Sequence, residues 1–125
     1  MRVRVHVRRP PRHVRQEIKS RLHDFFAEHD IADFRMALSL LARHYGITRP
    51  RVRWRRCIEK HKTQALTFDD NRLHLYRPRY WIMRTEPPTD ERAWIETFWH
   101  EVYHVLTVVR EEERADAFAQ LAMED

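Results

Sequence analysis

The chain contains one cysteine and one glycine among its 125 residues. It also lacks any long apolar run. The lone Cys57 excludes an internal disulfide and predicts a reducing, cytoplasmic setting. One glycine and six prolines exclude a low-complexity or linker-dominated chain. No apolar stretch approaches the roughly 20 residues that cross a bilayer, so no membrane association is expected. Met1 to Arg9 alternates Arg with Val and has no apolar stretch behind it, which predicts no signal peptide. A chain of this length supports one hydrophobic core, so residues 1–125 are expected to form a single domain.

Hydrophobic residues make up 42% and charged residues 34%, the balance of a soluble globular protein. The net charge of +5 conceals an asymmetry. Residues 1–62 hold 17 Lys and Arg against 6 Asp and Glu (+11), whereas residues 63–125 hold 7 against 13 (−6). A basic half attracts nucleic acid or another acidic partner, or it faces the acidic half of its own molecule.

Val3, Val5 and Val7 alternate with basic residues and predict a strand over Met1–Arg8, ended by Pro10-Pro11. Val14, Ile18, Leu22, Phe25 and Phe26 recur at helical spacing within His13–Glu28. After a break at His29-Asp30, residues 31–45 form a second amphipathic helix, with Gly46 suited to a left-handed C-cap. Arg51–Cys57 alternates again. Gln64–Phe68 and Arg72–Tyr76 predict a hairpin across Asp69-Asp70-Asn71, with a loop over Arg77–Pro88. Thr89 or Asp90 then caps a long helix running to about Val108, and Glu111–Met123 forms a last helix. This order predicts an α+β fold, a small three- to four-stranded sheet packed on helices. Trp54, Trp94, Phe98 and Phe118 are expected in the core, and His74 at the surface. Cys57 and His61 straddle a turn and make no second metal site.

The long helix contains His100-Glu101-Val102-Tyr103-His104, the pattern H-E-x-x-H. Positions i and i+4 share one helical face, so the two imidazoles can bind one zinc ion, and Glu101 on the neighbouring flank can accept a proton from water. A catalytic zinc usually has three protein ligands. Glu112 on the last helix is the candidate for the third. Asp116, one turn further on, can fix the tautomer of a liganding histidine. This requires a sharp turn near Val109-Arg110. An acidic, solvated helix start accounts for Glu111 and Glu113 but does not compete for Glu112.

His100-Glu101-x-x-His104 followed by Glu112-x-x-Ala115-Asp116-x-Phe118-Ala119 resembles the ImmA/IrrE-type zinc metallopeptidases, a group of minimal gluzincins. Thr97 and the stretch Leu40-Leu41-Ala42 with Tyr45-Gly46-Ile47 extend the likeness over roughly residues 34–123. The resemblance implies a zincin-like fold with an H-E-x-x-H helix and a C-terminal glutamate helix. It implies zinc bound by His100, His104 and Glu112, with Glu101 as general base and Asp116 behind the ligands. Peptide hydrolysis follows as the activity, and repressor-like regulators as substrates. Tyr76, Tyr80 and Tyr103 are candidate oxyanion stabilisers. Trp99 and the bulky Tyr103 depart from the family pattern and are expected to narrow the cleft.

A second reading keeps the metal site as structural or latent and assigns binding of nucleic acid or a regulatory protein to the basic half. SprT-like proteases also carry H-E-x-x-H, but with a histidine as later ligand, and no histidine follows His104 here.

Overall fold

A computed structural model of the protein describes residues 7–28, 30–55, 72–76, 91–107 and 111–124, with the backbone alone for positions 53–55, 72, 74 and 76. These residues form helices α1 (Arg12–Glu28) and α2 (Ile31–Tyr45), strands β1 (Arg51–Arg55) and β2 (Arg72–Tyr76), and helices α3 (Glu91–Thr107) and α4 (Glu112–Met123).

The expectation of an α+β fold with a three- to four-stranded, zincin-like sheet is overturned. The described residues are mostly helical, and their one sheet is a two-stranded parallel pair, Arg51 opposite Arg72 through Arg55 opposite Tyr76. Parallel strands need a crossover of a dozen or more residues, and positions 56–71 between them satisfy that. Gln64–Phe68 and the Asp69–Asn71 turn lie outside the described residues, as do Cys57, His61, Thr89 and Asp90. Residues 1–6 of the expected first strand lie outside them too. Val7 and Arg8 belong to no strand. The Arg8 carbonyl accepts a hydrogen bond from Tyr45 Oη at 2.6 Å, and Val7 packs on the core. Period-two alternation reports one covered side, and here helices do the covering.

The two N-terminal helices fall where the apolar spacing puts them. Asp30, read from the sequence only as a break, is the N-cap of α2. Its backbone is extended and its carboxylate accepts from the Ala32 amide at 3.0 Å. Gly46 ends α2 at φ 65°, a left-handed conformation that an L side chain resists, and Ile47 N–H donates back to the Ala42 carbonyl at 3.0 Å.

Trp94 on α3 is fully buried and centres the core, with ring centroids 5.7 Å from Phe25 and 6.2 Å from Phe34. Phe98 stands edge-on to Phe34 at 6.0 Å, so α3 is seated on the α1–α2 pair by aromatic contact. Leu73 and Leu75 of β2 are also fully buried. Trp94, Phe98 and Phe118 thus take the expected core positions, whereas the side chains of Trp54 and His74 are not among those described. No helix among the described residues is long and apolar enough to cross a membrane.

Arginines tie the start of the chain to the end of α4. The Arg9 guanidinium donates to the Leu121 carbonyl at 2.8 Å. Arg15 is 7% exposed, and its Nε donates to the Pro10 carbonyl at 2.8 Å while Nη1 donates to the Glu124 carbonyl. A buried guanidinium with this much donor capacity is retained only where acceptors meet it. Arg15→Ala is expected to cost about 2–3 kcal/mol, since it removes charge-assisted bonds and strands their carbonyl partners. Chemical denaturation checks this, with Arg15→Lys recovering part of the loss.

His23 on α1 donates from Nδ1 to both carboxylate oxygens of Glu91 on α3, at 2.8 and 2.7 Å. The hydrogen bond to Glu91, and then the charge of Glu91, raise the imidazole pKa above the usual 6.5. A raised folded-state pKa stabilises fully below the unfolded value, and the contribution fades as pH climbs through the folded one. The melting temperature should therefore lose a small increment as pH rises above 6.5. In His23→Gln that part of the pH dependence should be flat.

Candidate metal centre

The site forms where α4 lies against α3. Ala115 and Ala119 of α4 are essentially fully buried, and their small side chains let the helices approach closely. Phe118 packs between them against Tyr103, with centroids 5.5 Å apart, and against Trp99 at 6.1 Å. The Ala-x-x-Phe-Ala spacing is thus a packing signature. It fixes the rotation of α4 about its own axis, and so the direction in which Glu112 and Asp116 are carried. Glu112 sits in the first turn of α4, where a carboxylate complements the helix dipole. The turn at Val109-Arg110 lies outside the described residues, yet the helices on either side of it meet so that Glu112 reaches both histidines.

His100 Nε2 lies 2.9 Å from Glu112 Oε2, and His104 Nε2 lies 3.0 Å from Glu112 Oε1. The two Nε2 atoms are 3.2 Å apart. His100 Nδ1 donates to Asp116 Oδ1 at 2.7 Å. The structure therefore brings together all four residues that the sequence nominated as ligands and support. Among the described residues, His100, His104 and Glu112 are the group able to hold a metal ion.

With both imidazoles neutral, this cluster leaves two acceptors facing each other. Donation from His100 Nδ1 to Asp116 leaves a lone pair on Nε2 in the neutral ring. That lone pair faces a carboxylate oxygen at 2.9 Å. Even if His104 donates from its Nε2, the approach of His100 to Glu112 joins two acceptors. A second proton on His100 satisfies this contact, and so does a cation among the three donor atoms. Tetrahedral coordination with bonds of about 2.0–2.2 Å sets ligand atoms about 3.3 Å apart. The three separations here, 2.9, 3.0 and 3.2 Å, are near that spacing. Two imidazoles and a carboxylate are also the donor types that zinc accepts.

Exposure is uneven around the cluster. The imidazole side chains of His100 and His104 are 8% and 3% exposed, whereas the side chains of Glu112 and Asp116 are 44% and 63% exposed. The site is therefore walled by α3 and open along α4. Glu101 is 2% exposed. Successive helical residues are turned by about 100°, so Glu101 and Tyr103 occupy opposite flanks of the face that carries the histidines.

The Tyr103 flank is the one that α4 covers. Trp99 and Tyr103 are buried in that interface and do not narrow an open cleft. Of the three tyrosines considered as oxyanion stabilisers, Tyr103 thus has a packing role, whereas Tyr80 and the side chain of Tyr76 lie outside the described residues. Thr97 Oγ1 donates to the Ala93 carbonyl of its own helix at 3.0 Å, a local bond that does not involve the cluster. The arginine contacts that anchor the far end of α4 had no signal in the sequence reading, because their partners are backbone carbonyls.

No protein-family model, curated protein or solved structure matches the chain.

Zinc at a hundredfold excess over its dissociation constant should stabilise the fold by about 2.7 kcal/mol, seen as a higher melting temperature that a chelator reverses. His104→Ala and Glu112→Ala are expected to lose most of that shift. Asp116→Ala should weaken affinity by about 10–100-fold. An undiminished shift in Glu112→Ala would remove this residue from the ligand set.

Proposed function

We propose that the protein is a zinc-dependent peptidase with a gluzincin-type ligand set, His100, His104 and Glu112. The observation that carries this reading is the meeting of those three donor atoms with Asp116 positioned behind His100. The likeness of H-E-x-x-H and the following helix to ImmA/IrrE-type metallopeptidases points the same way.

Zinc held there would supply Lewis acidity, polarising a peptide carbonyl and bringing the pKa of its water to about 7. The chain's own residues do the rest. The carboxylate of Asp116 holds the His100 ring in the tautomer that turns Nε2 toward the cluster. Glu101, next to His100 and shielded from bulk water, takes a proton from the attacking water. The water oxygen bonds to the carbonyl carbon, the carbon–nitrogen bond breaks, and Glu101 returns the proton to the departing amine. The products are a carboxylic acid and an amine. Among the described residues β2 is paired on one edge only, by β1. In this proposal an extended peptide pairs with the sheet along β2. A protein substrate of the regulator kind and a cytoplasmic setting belong to the same proposal.

Zinc-loaded protein is expected to cleave members of a mixed peptide library, read by mass spectrometry. Glu101→Gln should lower the rate by about 10²–10⁴-fold while zinc stoichiometry stays the same. Full activity in that variant overturns the role of Glu101, and a library left intact by the zinc-loaded wild type overturns the peptidase reading.

A further inference from the structure

One cavity of the protein includes no member of the metal cluster. It has a volume of about 1040 Å³ and opens between α2 and β1, with Arg35, Arg49 and Arg51 in its wall. A second cavity of about 210 Å³ shares Arg35 and Arg49 and adds Arg43. The two adjoin at Arg35 and Arg49, and together they are called the furrow.

All four arginines are exposed. Among the described residues none of them is in an ion pair, although Arg49 Nη1 donates to Ser39 Oγ at 3.4 Å. The acidic residues of the furrow are Glu17 and Asp30, and the Asp30 carboxylate is already bonded to the Ala32 amide. Arg35 and Arg43 are eight residues apart on α2, or about 12 Å along its axis. That length matches three to four nucleotides of one strand at about 3.4 Å each. Guanidinium groups meet phosphate oxygens in bidentate fashion, which makes this an arginine surface suited to phosphodiesters.

The furrow has no exposed aromatic ring among its described residues. Met36, 44% exposed, and half-buried Leu40 are its apolar elements. Capture of single strands generally relies on aromatic stacking of splayed bases. A duplex presents regularly spaced phosphates and keeps its bases stacked within, so it needs charge alone.

We propose that the α2–β1 furrow binds the backbone of a nucleic-acid duplex through Arg35, Arg43, Arg49 and Arg51, without reading its sequence. This site is independent of the metal cluster and does not require it.

The test is fluorescence anisotropy of the full chain with a labelled 30-base-pair DNA duplex of arbitrary sequence, across a salt series. Four phosphate contacts give a slope of about −3.6 in log K against log salt, a loss of about a hundredfold between about 50 and 200 mM. Arg35→Ala/Arg49→Ala should reduce the magnitude of the slope by about two. Arg92→Ala, an exposed arginine on α3, should leave it unchanged. Thermal unfolding of each variant confirms that the fold is retained. The proposal is overturned by absence of binding at low salt, or by an equal effect of Arg92→Ala, which would indicate net charge alone. Tighter binding of the single strand, or equal binding of labelled polyglutamate, overturns it as well.

Discussion

The closure of α4 onto α3 is the constraint on which the metal cluster depends. The hydrophobic interface beneath the three side chains brings their two helices together. Burial of Phe118 between Trp99 and Tyr103 contributes about 1.5–3 kcal/mol. Leaving one acceptor without a partner costs about 1–3 kcal/mol. The terms are of similar size, so the packing can keep the donors assembled before a cation arrives. The alanines at 115 and 119 matter for the same reason, since a larger side chain at either would push Glu112 away from the rings.

The cluster divides its labour by burial. Imidazoles sit on the walled side, where orientation is fixed by the core and by Asp116. Carboxylates sit on the wet side, where they can exchange with water and admit a ligand. Glu101 and Tyr103 flank the same two histidines, and both are buried. Tyr103 packs against Phe118 of α4, so the helical repeat turns only one of the two flanks toward that helix. A second chemical surface, the arginine furrow, lies on a different pair of elements, so the basic and acidic halves of the chain do not simply neutralise each other.

The clustering of His100 and His104 was legible in the sequence because i, i+4 spacing is a property of the helix itself. Glu112 and Asp116 repeat that spacing, and the neighbouring apolar residues report which side of α4 is covered. The limits of α1 and α2 followed from apolar periodicity and from Gly46. Sheet content was the reading that failed. Valine alternating with arginine says that one side of a segment is covered, and it does not say by what. Around Val7 the cover is helical, and the carbonyl of Arg8 is taken by a tyrosine hydroxyl instead of a neighbouring strand. Parallel pairing of β1 with β2 was equally hidden, because the two strands are joined across a crossover and no local turn signal marks it. Asp30 looked like an interruption, although a short acidic residue ahead of an apolar helix is also what a cap requires.

The arginine ties between residues 9–15 and 121–124 have a kinetic meaning. They join positions 112 and 109 residues apart in sequence. Contacts of such span carry a loop-closure entropy that must be met before they return any stabilisation. The α1–α2 pair can form from neighbouring sequence, whereas these ties must wait for the last helix to dock. Of the two segments joined, the one synthesised earlier therefore waits for the later one, and the glutamate helix is fastened only when both are present.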